Sequence, residues 1–165
     1  YNGGDYTSPP TVGLRAFSAN YTATLFDKEG YEEGEHLKTF GGLEDTNAFL
    51  AFMTGFFSGV DANNLLGMLN TWQNGDIGKH EMFGGDTKAA LANITCPALV
   101  MPSATDLSFP ARNNIPEVAA MPNAKYLVIP SKRGHFAGSM APALAAAETV
   151  AFTDNAIKNL LNRIS

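Results

Sequence analysis

Between Cys96 and Phe136 the chain carries two short apolar runs, each followed by a polar residue of catalytic type. The first, Pro97-Ala-Leu-Val-Met-Pro102, leads to Asp106. The second, Lys125-Tyr-Leu-Val-Ile-Pro130, leads to His135. Residues 111–120 between them have helical character, disturbed by Pro116. A short, continuous apolar run suits a parallel strand covered on both faces. Strands are therefore expected at 97–101 and 126–129, joined by a helical crossover. In an open parallel sheet, functional groups collect beyond the carboxyl ends of the strands. That rule places Asp106 and His135 side by side on neighbouring loops of one sheet edge.

The rest of the chain is mainly helical in pattern. Pro9 and Pro10 suit the first turn of a helix over 8–25, with Val12, Ala16, Phe17, Tyr21 and Thr24 or Leu25 as its apolar stripe. The acidic, Gly-bearing stretch 27–35 reads as a solvated loop. Asp45 or Thr46 caps a helix carrying Phe49, Leu50, Phe52, Met53, Phe56 and Phe57, apolar nearly all round and so buried or lining a cavity. Gly59 ends it. Asp61 caps a further helix with Leu65, Leu66, Met68, Leu69 and Trp72, and Asp86 caps a short one over 87–92. For the aromatic and Met side chains of these helices, plain core packing competes with a ligand pocket. Residues 145–164 form a last helix, with Val150, Phe152, Ala156, Ile157, Leu160, Leu161 and Ile164 as its stripe. The expected organisation is a helical lid or cap segment over 1–93, followed by a βαβα unit over 94–165.

Two parallel strands do not make a stable sheet alone, because faces and edges lack partners. The chain begins with Tyr1 rather than Met. We expect the remaining strands on a segment outside this chain, which then behaves as a fragment that needs its N-terminal half and is aggregation-prone without it. The formal net charge is −5 and no basic run occurs, which argues against nucleic acid as a partner. No apolar run is long enough to cross a membrane, so no membrane partner is expected. Cys96 is the single cysteine, which excludes an internal disulfide and favours a reducing, cytoplasmic compartment. His36 and His80 lie in polar connectors, read as surface positions without metal-ligand spacing.

An aspartate that accepts the imidazole Nδ1–H fixes the tautomer of a histidine and stabilises its charged form while Nε2 removes a proton from a hydroxyl nucleophile. Acid before histidine, one βαβ unit apart, is the order of the α/β-hydrolases, in which the nucleophilic Ser comes first. Taken singly, Asp106 reads as a loop or capping acid and His135 as a packed loop histidine; taken together they read as an acid and a base.

At these residues the sequence resembles the homoserine O-acetyltransferase group of α/β-hydrolases. The stretch Leu99-Val-Met-Pro-Ser-Ala-Thr-Asp-Leu-Ser-Phe-Pro110 is similar to that group's acid loop, Met121-Pro-Asn-Ala-Lys-Tyr126 to its approach to the last strand, and Gly134-His135 to its catalytic histidine. Asp61-Ala-Asn63 with Leu65, Leu66 and the Trp72 region is similar to the end of its helical lid insertion. The resemblance implies Asp106 and His135 as triad acid and base beneath a helical lid; separately, a homodimer through the lid helices is a candidate partner arrangement. Two departures stand out. No Gly-x-Ser-x-Gly elbow is present: Gly55-Phe-Phe-Ser58-Gly59 has its serine one place late, and Gly138-Ser139-Met140 follows the histidine with no strand before it. Phe136 also stands where that group carries an Asp that can hold the substrate's ammonium.

The expectation is the C-terminal portion of a serine-dependent acyltransferase or esterase, inactive as this chain alone. Its substrate is a small-molecule ester or thioester. It needs no cofactor, with acetyl-CoA or another acyl donor as a candidate substrate. The alternative is a non-catalytic α/β binding or interaction module in which Asp106 and His135 are incidental.

Overall fold

A computed structural model describes residues 4–139 and 144–162. Strands β1 (Ala98–Val100) and β2 (Ala124–Tyr126) pair in parallel, Ala98 opposite Ala124 and Val100 opposite Tyr126. Pairing continues past the regular ladder: Leu127 N–H donates to the Val100 carbonyl, Ile129 N–H to the Pro102 carbonyl, and Ser103 bridges Ile129. In this register residue 102 would donate back to the Leu127 carbonyl, and proline has no N–H to give. The expected second strand, 126–129, thus covers backbone that does pair, while the regular strand starts earlier and stops at Tyr126. The crossover is a 3-10 turn, Ala111–Asn113, running into helix α7 (Asn114–Ala120), with Pro116 tolerated in the first turn of that helix.

Helices precede the sheet: α1 (Thr11–Thr22), α2 (Lys28–Glu32), α3 (Glu35–Thr39), α4 (Thr46–Ser58), α5 (Ala62–Asn74) and α6 (Thr87–Ala92). Asp27, Asp45, Asp61 and Asp86 each accept a backbone N–H at the start of a helix, leaving fewer unpaired donors there. Helix α8 (Ala147–Leu161) packs against β1.

Several expectations change. Helix α1 begins after Pro10 and buries Leu14, Ser18 and Thr22, an i, i+4 row; Val12 is 84% exposed and outside the core. Stretch 27–35 is no open loop, because Asp27 caps α2 and its acids meet cations of a distant loop. His36 is 2% exposed, not a surface residue: Phe26, Tyr31 and Phe49 surround its ring, and Nε2 pairs with Thr46 Oγ1 at 3.1 Å. The seam of α8 is the small row Thr149, Thr153 and Ala156, with Leu161 exposed and Ile164 outside the described residues. Among the described residues β1 pairs only with β2 and is half-buried along its length. An open groove of about 540 Å³ runs beside it, lined by β1, β2 and α8.

The core that matters for the site lies under the loop after β2. Leu25, Phe26, Phe49, Met53 and Phe57 form it, with Phe17, Tyr21, Phe40 and Phe136 packed against it. Helices α1 and α4 lie against each other. Among the described residues no helix is long and apolar enough to cross a membrane.

Candidate active site

Asp106 sits on the loop beyond β1. Its Oδ1 accepts the N–H groups of Ser108 at 2.8 Å and Phe109 at 2.9 Å, which folds the loop back on the carboxylate and leaves Oδ2 for another partner. That partner is His135, whose Nδ1 lies 3.1 Å from Oδ2. The Asp106 side chain is 10% exposed and that of His135 26%. An ionised carboxylate only accepts, so Nδ1 donates and Nε2 is left as the basic nitrogen.

His135 occupies a 3-10 turn, Gly134–Phe136, whose position is set by the N-terminal segment. The His135 N–H donates to the buried Leu25 carbonyl at 2.8 Å. Gly134 has φ +49, and a Cβ there would lie 2.1 Å from Leu25 O, so only glycine permits this approach. Ion pairs fasten the same loop: Lys132 meets Glu29 at 2.8 Å and Glu33 at 2.5 Å, and Arg133 Nε meets Glu35 at 3.2 Å. Arg133 also donates to the Leu144 carbonyl at 3.1 Å. Burial pushes the Glu35 carboxyl up, but bonds from Lys38 and Arg133 outweigh it and hold the group below its usual range.

The imidazole is flanked by rings. Phe109 stacks on it at 5.6 Å, and Tyr21 and Phe136 meet it edge-on at 6.4 Å and 6.0 Å. Burial, and then the Asp106 charge, raise the Tyr21 phenol above its ordinary value, so it stays a neutral donor near the dyad. His135 and Phe136 form part of the wall of a cavity of about 530 Å³. Tyr21 of α1, Phe52 and Phe56 of α4, and Met68 and Trp72 of α5 line much of the remainder. A smaller pocket of about 290 Å³ lies at the carboxyl end of β1, lined by Ser103, Asp106, Phe109 and Asn114 among others, and His135 borders it as well.

The structure thus brings together the two residues singled out from the sequence. Ser58 lies in α4 and donates to the Thr54 carbonyl along its own helix. Ser139 follows the histidine turn, its N–H bonded to the Phe136 carbonyl at 3.0 Å; Met140 lies outside the described residues. His80 is exposed, and no group of three His, Cys, Asp or Glu side chains that could hold a metal occurs among the described residues. From the sequence Tyr21 and Leu25 read only as a helix stripe and Phe109 only as part of the acid loop; the pattern singles out none of them, nor Phe26, beside the pair. Phe109 had a signal, because its N–H lies within reach of the Asp106 turn. Leu25 had none.

No protein-family model matches the chain. It is 32% identical over 138 residues to an ethyl acetate hydrolase of Pseudomonas veronii, spanning 82% of this chain and 38% of that protein. Among solved structures it superposes on an acetylester hydrolase from Corynebacterium glutamicum with TM-score 0.83 and 32% identity, covering 98% of this chain and 45% of that one. The acetyl esterase MekB matches with TM-score 0.79 and 29% identity, over 92% of this chain and 42% of that one. The chain therefore spans less than half the length of each of these relatives. Over the residues it spans, the chain has the fold of a portion of an α/β-hydrolase, a parallel βαβα unit preceded by helices, and the relatives that share this portion are ester hydrolases.

Proposed function

We propose that the protein is an ester hydrolase acting on a small carboxylic ester with an apolar group, through a Ser-His-Asp acyl-enzyme mechanism. His135 is the base and acid, Asp106 orients it, and the nucleophilic serine and oxyanion donors come from a segment outside this chain. The observation that carries this reading is the 3.1 Å pairing of His135 Nδ1 with Asp106 Oδ2 at the wall of an apolar cavity. Similarity to ester hydrolases more than twice the length of this chain supports it.

In this reading the serine Oγ attacks the ester carbonyl as His135 Nε2 takes its proton. Asp106 stabilises the imidazolium across the Nδ1 bond. Collapse breaks the C–O bond to the alcohol, which leaves with the proton from Nε2. Water then gives a proton to Nε2 and attacks the acyl-serine; the acyl C–Oγ bond breaks, Nε2 returns the proton to the serine oxygen, and the acid is released. The lid helices keep the cavity apolar, which strengthens each electrostatic contact within it. No cofactor enters the balance. Water, not homoserine, is the proposed acceptor: the Phe136 ring packs on Phe26 and Phe40 at 5.7 Å and 5.2 Å and supplies no carboxylate for an ammonium group.

The test is labelling by a fluorophosphonate and hydrolysis of p-nitrophenyl acetate by the polypeptide as its reading frame encodes it. Both are expected, and both are lost in His135→Ala. A protein that never labels defeats the enzyme reading. His135-dependent turnover by residues 1–165 alone defeats the assignment of the serine to another segment.

A further inference from the structure

The acid and the base stand on loops of different strands, and one hydroxyl ties those loops together. Thr105 Oγ1 donates to the Ser131 carbonyl at 2.8 Å and accepts the Gly134 N–H at 3.1 Å. Thr105 precedes Asp106 in the chain, and Gly134 precedes His135. The hydroxyl therefore acts one residue away from each member of the dyad.

Strand pairing ends where Ala104 N–H meets the Ile129 carbonyl at 3.0 Å; among the described residues no backbone–backbone bond joins the two loops beyond it. Each loop is well held in itself. The acid loop closes on Asp106 Oδ1 through Ser108 and Phe109, and the base turn hangs from Leu25. Among the described residues the direct polar ties between them are the dyad bond and Thr105, beside the Phe109 ring stacked on His135 and an indirect tie from Thr24 Oγ1 to Ser108 Oγ. A bond that must be preorganised for catalysis cannot also be its own constraint, since a displaced imidazole would simply lose it.

We propose that Thr105 is a positioning residue for ester hydrolysis: its hydroxyl stands in for the missing rung between the loops and sets the Asp106–His135 spacing. This rests on the ester-hydrolase reading, although the positioning itself can be read without turnover.

The experiment compares Thr105→Val, Thr105→Ser and Thr105→Cys in the polypeptide as its reading frame encodes it. For p-nitrophenyl acetate, Thr105→Val is expected to lower kcat about 10- to 100-fold with KM nearly unchanged, the size of effect that displacement by roughly 1 Å produces. Thr105→Ser restores kcat, and Thr105→Cys, a weaker hydrogen-bonding group, falls between. Ala156→Gly, in α8 and remote from the dyad, serves as a comparator for stability loss without loss of kcat. The His135 ring-nitrogen resonance, measured by NMR, moves in Thr105→Val and not in Thr105→Ser. Should Thr105→Val not fold, the Cys and Ser pair carries the test. A folded Val variant with parental kcat, a Ser variant as slow as Val, a Cys variant equal to the parent, or an unmoved His135 resonance in Val overturns the proposal. A protein that hydrolyses no ester but shows the resonance shift instead overturns the function and leaves the clasp standing.

Discussion

Replacing Gly134 by alanine tests whether the N-terminal segment holds the base in place. A Cβ at this position would lie 2.1 Å from Leu25 O, 2.9 Å from Phe26 Cα and 3.0 Å from Leu25 C. All three are backbone atoms of fully buried residues, so no side-chain rotation relieves the contact. Real Cβ contacts stay beyond 3.0 Å, and the turn must retreat by roughly 1 Å. Alanine at φ +49 adds about 1–2 kcal/mol of left-handed strain. The retreat also breaks the bond from His135 N–H to Leu25 O, leaving a buried carbonyl unpaired at a cost of about 1–3 kcal/mol. The expected loss is about 2–5 kcal/mol in urea unfolding, the sum of these two terms. The same shift carries His135 from Asp106, so ester hydrolysis should fall about 100-fold. Gly138→Ala is the control, since its Cβ meets only Ile129 Cδ1 at 3.8 Å. A Gly134→Ala protein as stable as Gly138→Ala and fully active would refute the reasoning.

Asp106→Asn removes the charge that faces the imidazolium and favours the wrong tautomer, so kcat for p-nitrophenyl acetate should drop by about 10⁴-fold while the unfolding midpoint moves little; a drop under about tenfold sinks the dyad. Burial holds the His36 imidazole below its usual 6.5, so on acidification the unfolded chain takes up its proton first. Its contribution is full above about 6.5 and shrinks as pH falls through the folded value; urea midpoints against pH should show a shallower acid limb in His36→Gln, and an identical limb contradicts the assignment. Burial also pushes the Tyr31 phenol up to about 12, while its hydroxyl donates to the Thr22 carbonyl. The unfolded phenol ionises near 10, so stability from Tyr31 is full below that pH and is lost as pH rises toward about 12. The difference in tyrosinate absorbance between parent and Tyr31→Phe should titrate near the upper value, and a midpoint near 10 refutes it.

What the sequence shows of this site depends on how local its causes are. The two apolar runs and the loops beyond them follow from short-range pattern, and the parallel rule then brings Asp106 to His135 across 29 positions. The helix starts at Asp45, Asp61 and Asp86 are equally local, since each cap is a bond to a residue three positions on. The acids of 27–35 failed that kind of reading. Their partners Lys132 and Arg133 lie 98 to 103 positions away, and no periodicity announces them. His36 failed for the same reason, because polar neighbours in sequence concealed aromatic neighbours in space. The α8 stripe holds at Ala156 but leaves out Thr149 and Thr153, because the pattern rule counts apolar residues and the buried row also uses threonines.

The long-range contacts also decide what can move around the proposed dyad. The base turn is bonded to Leu25, its cations to Glu29, Glu33 and Glu35, and Phe136 to Phe26 and Phe40. Thr24 Oγ1 adds a 3.1 Å contact to Ser108 Oγ on the acid loop. The stretch from Thr24 through α3 therefore cannot swing away without releasing His135, which as the proposed base would have to stay fixed through the cycle. Helix α5 is tied instead to the residues before α1, with Tyr6 Oη donating to Asp61 Oδ2 at 2.6 Å and Asn63 Nδ2 to the Gly4 carbonyl at 2.9 Å, and it meets the acid loop through Trp72 and Phe109 at 6.0 Å. In the proposed esterase the floor built on Leu25 and Phe26 would hold the base still beneath the cavity that α5 helps to line.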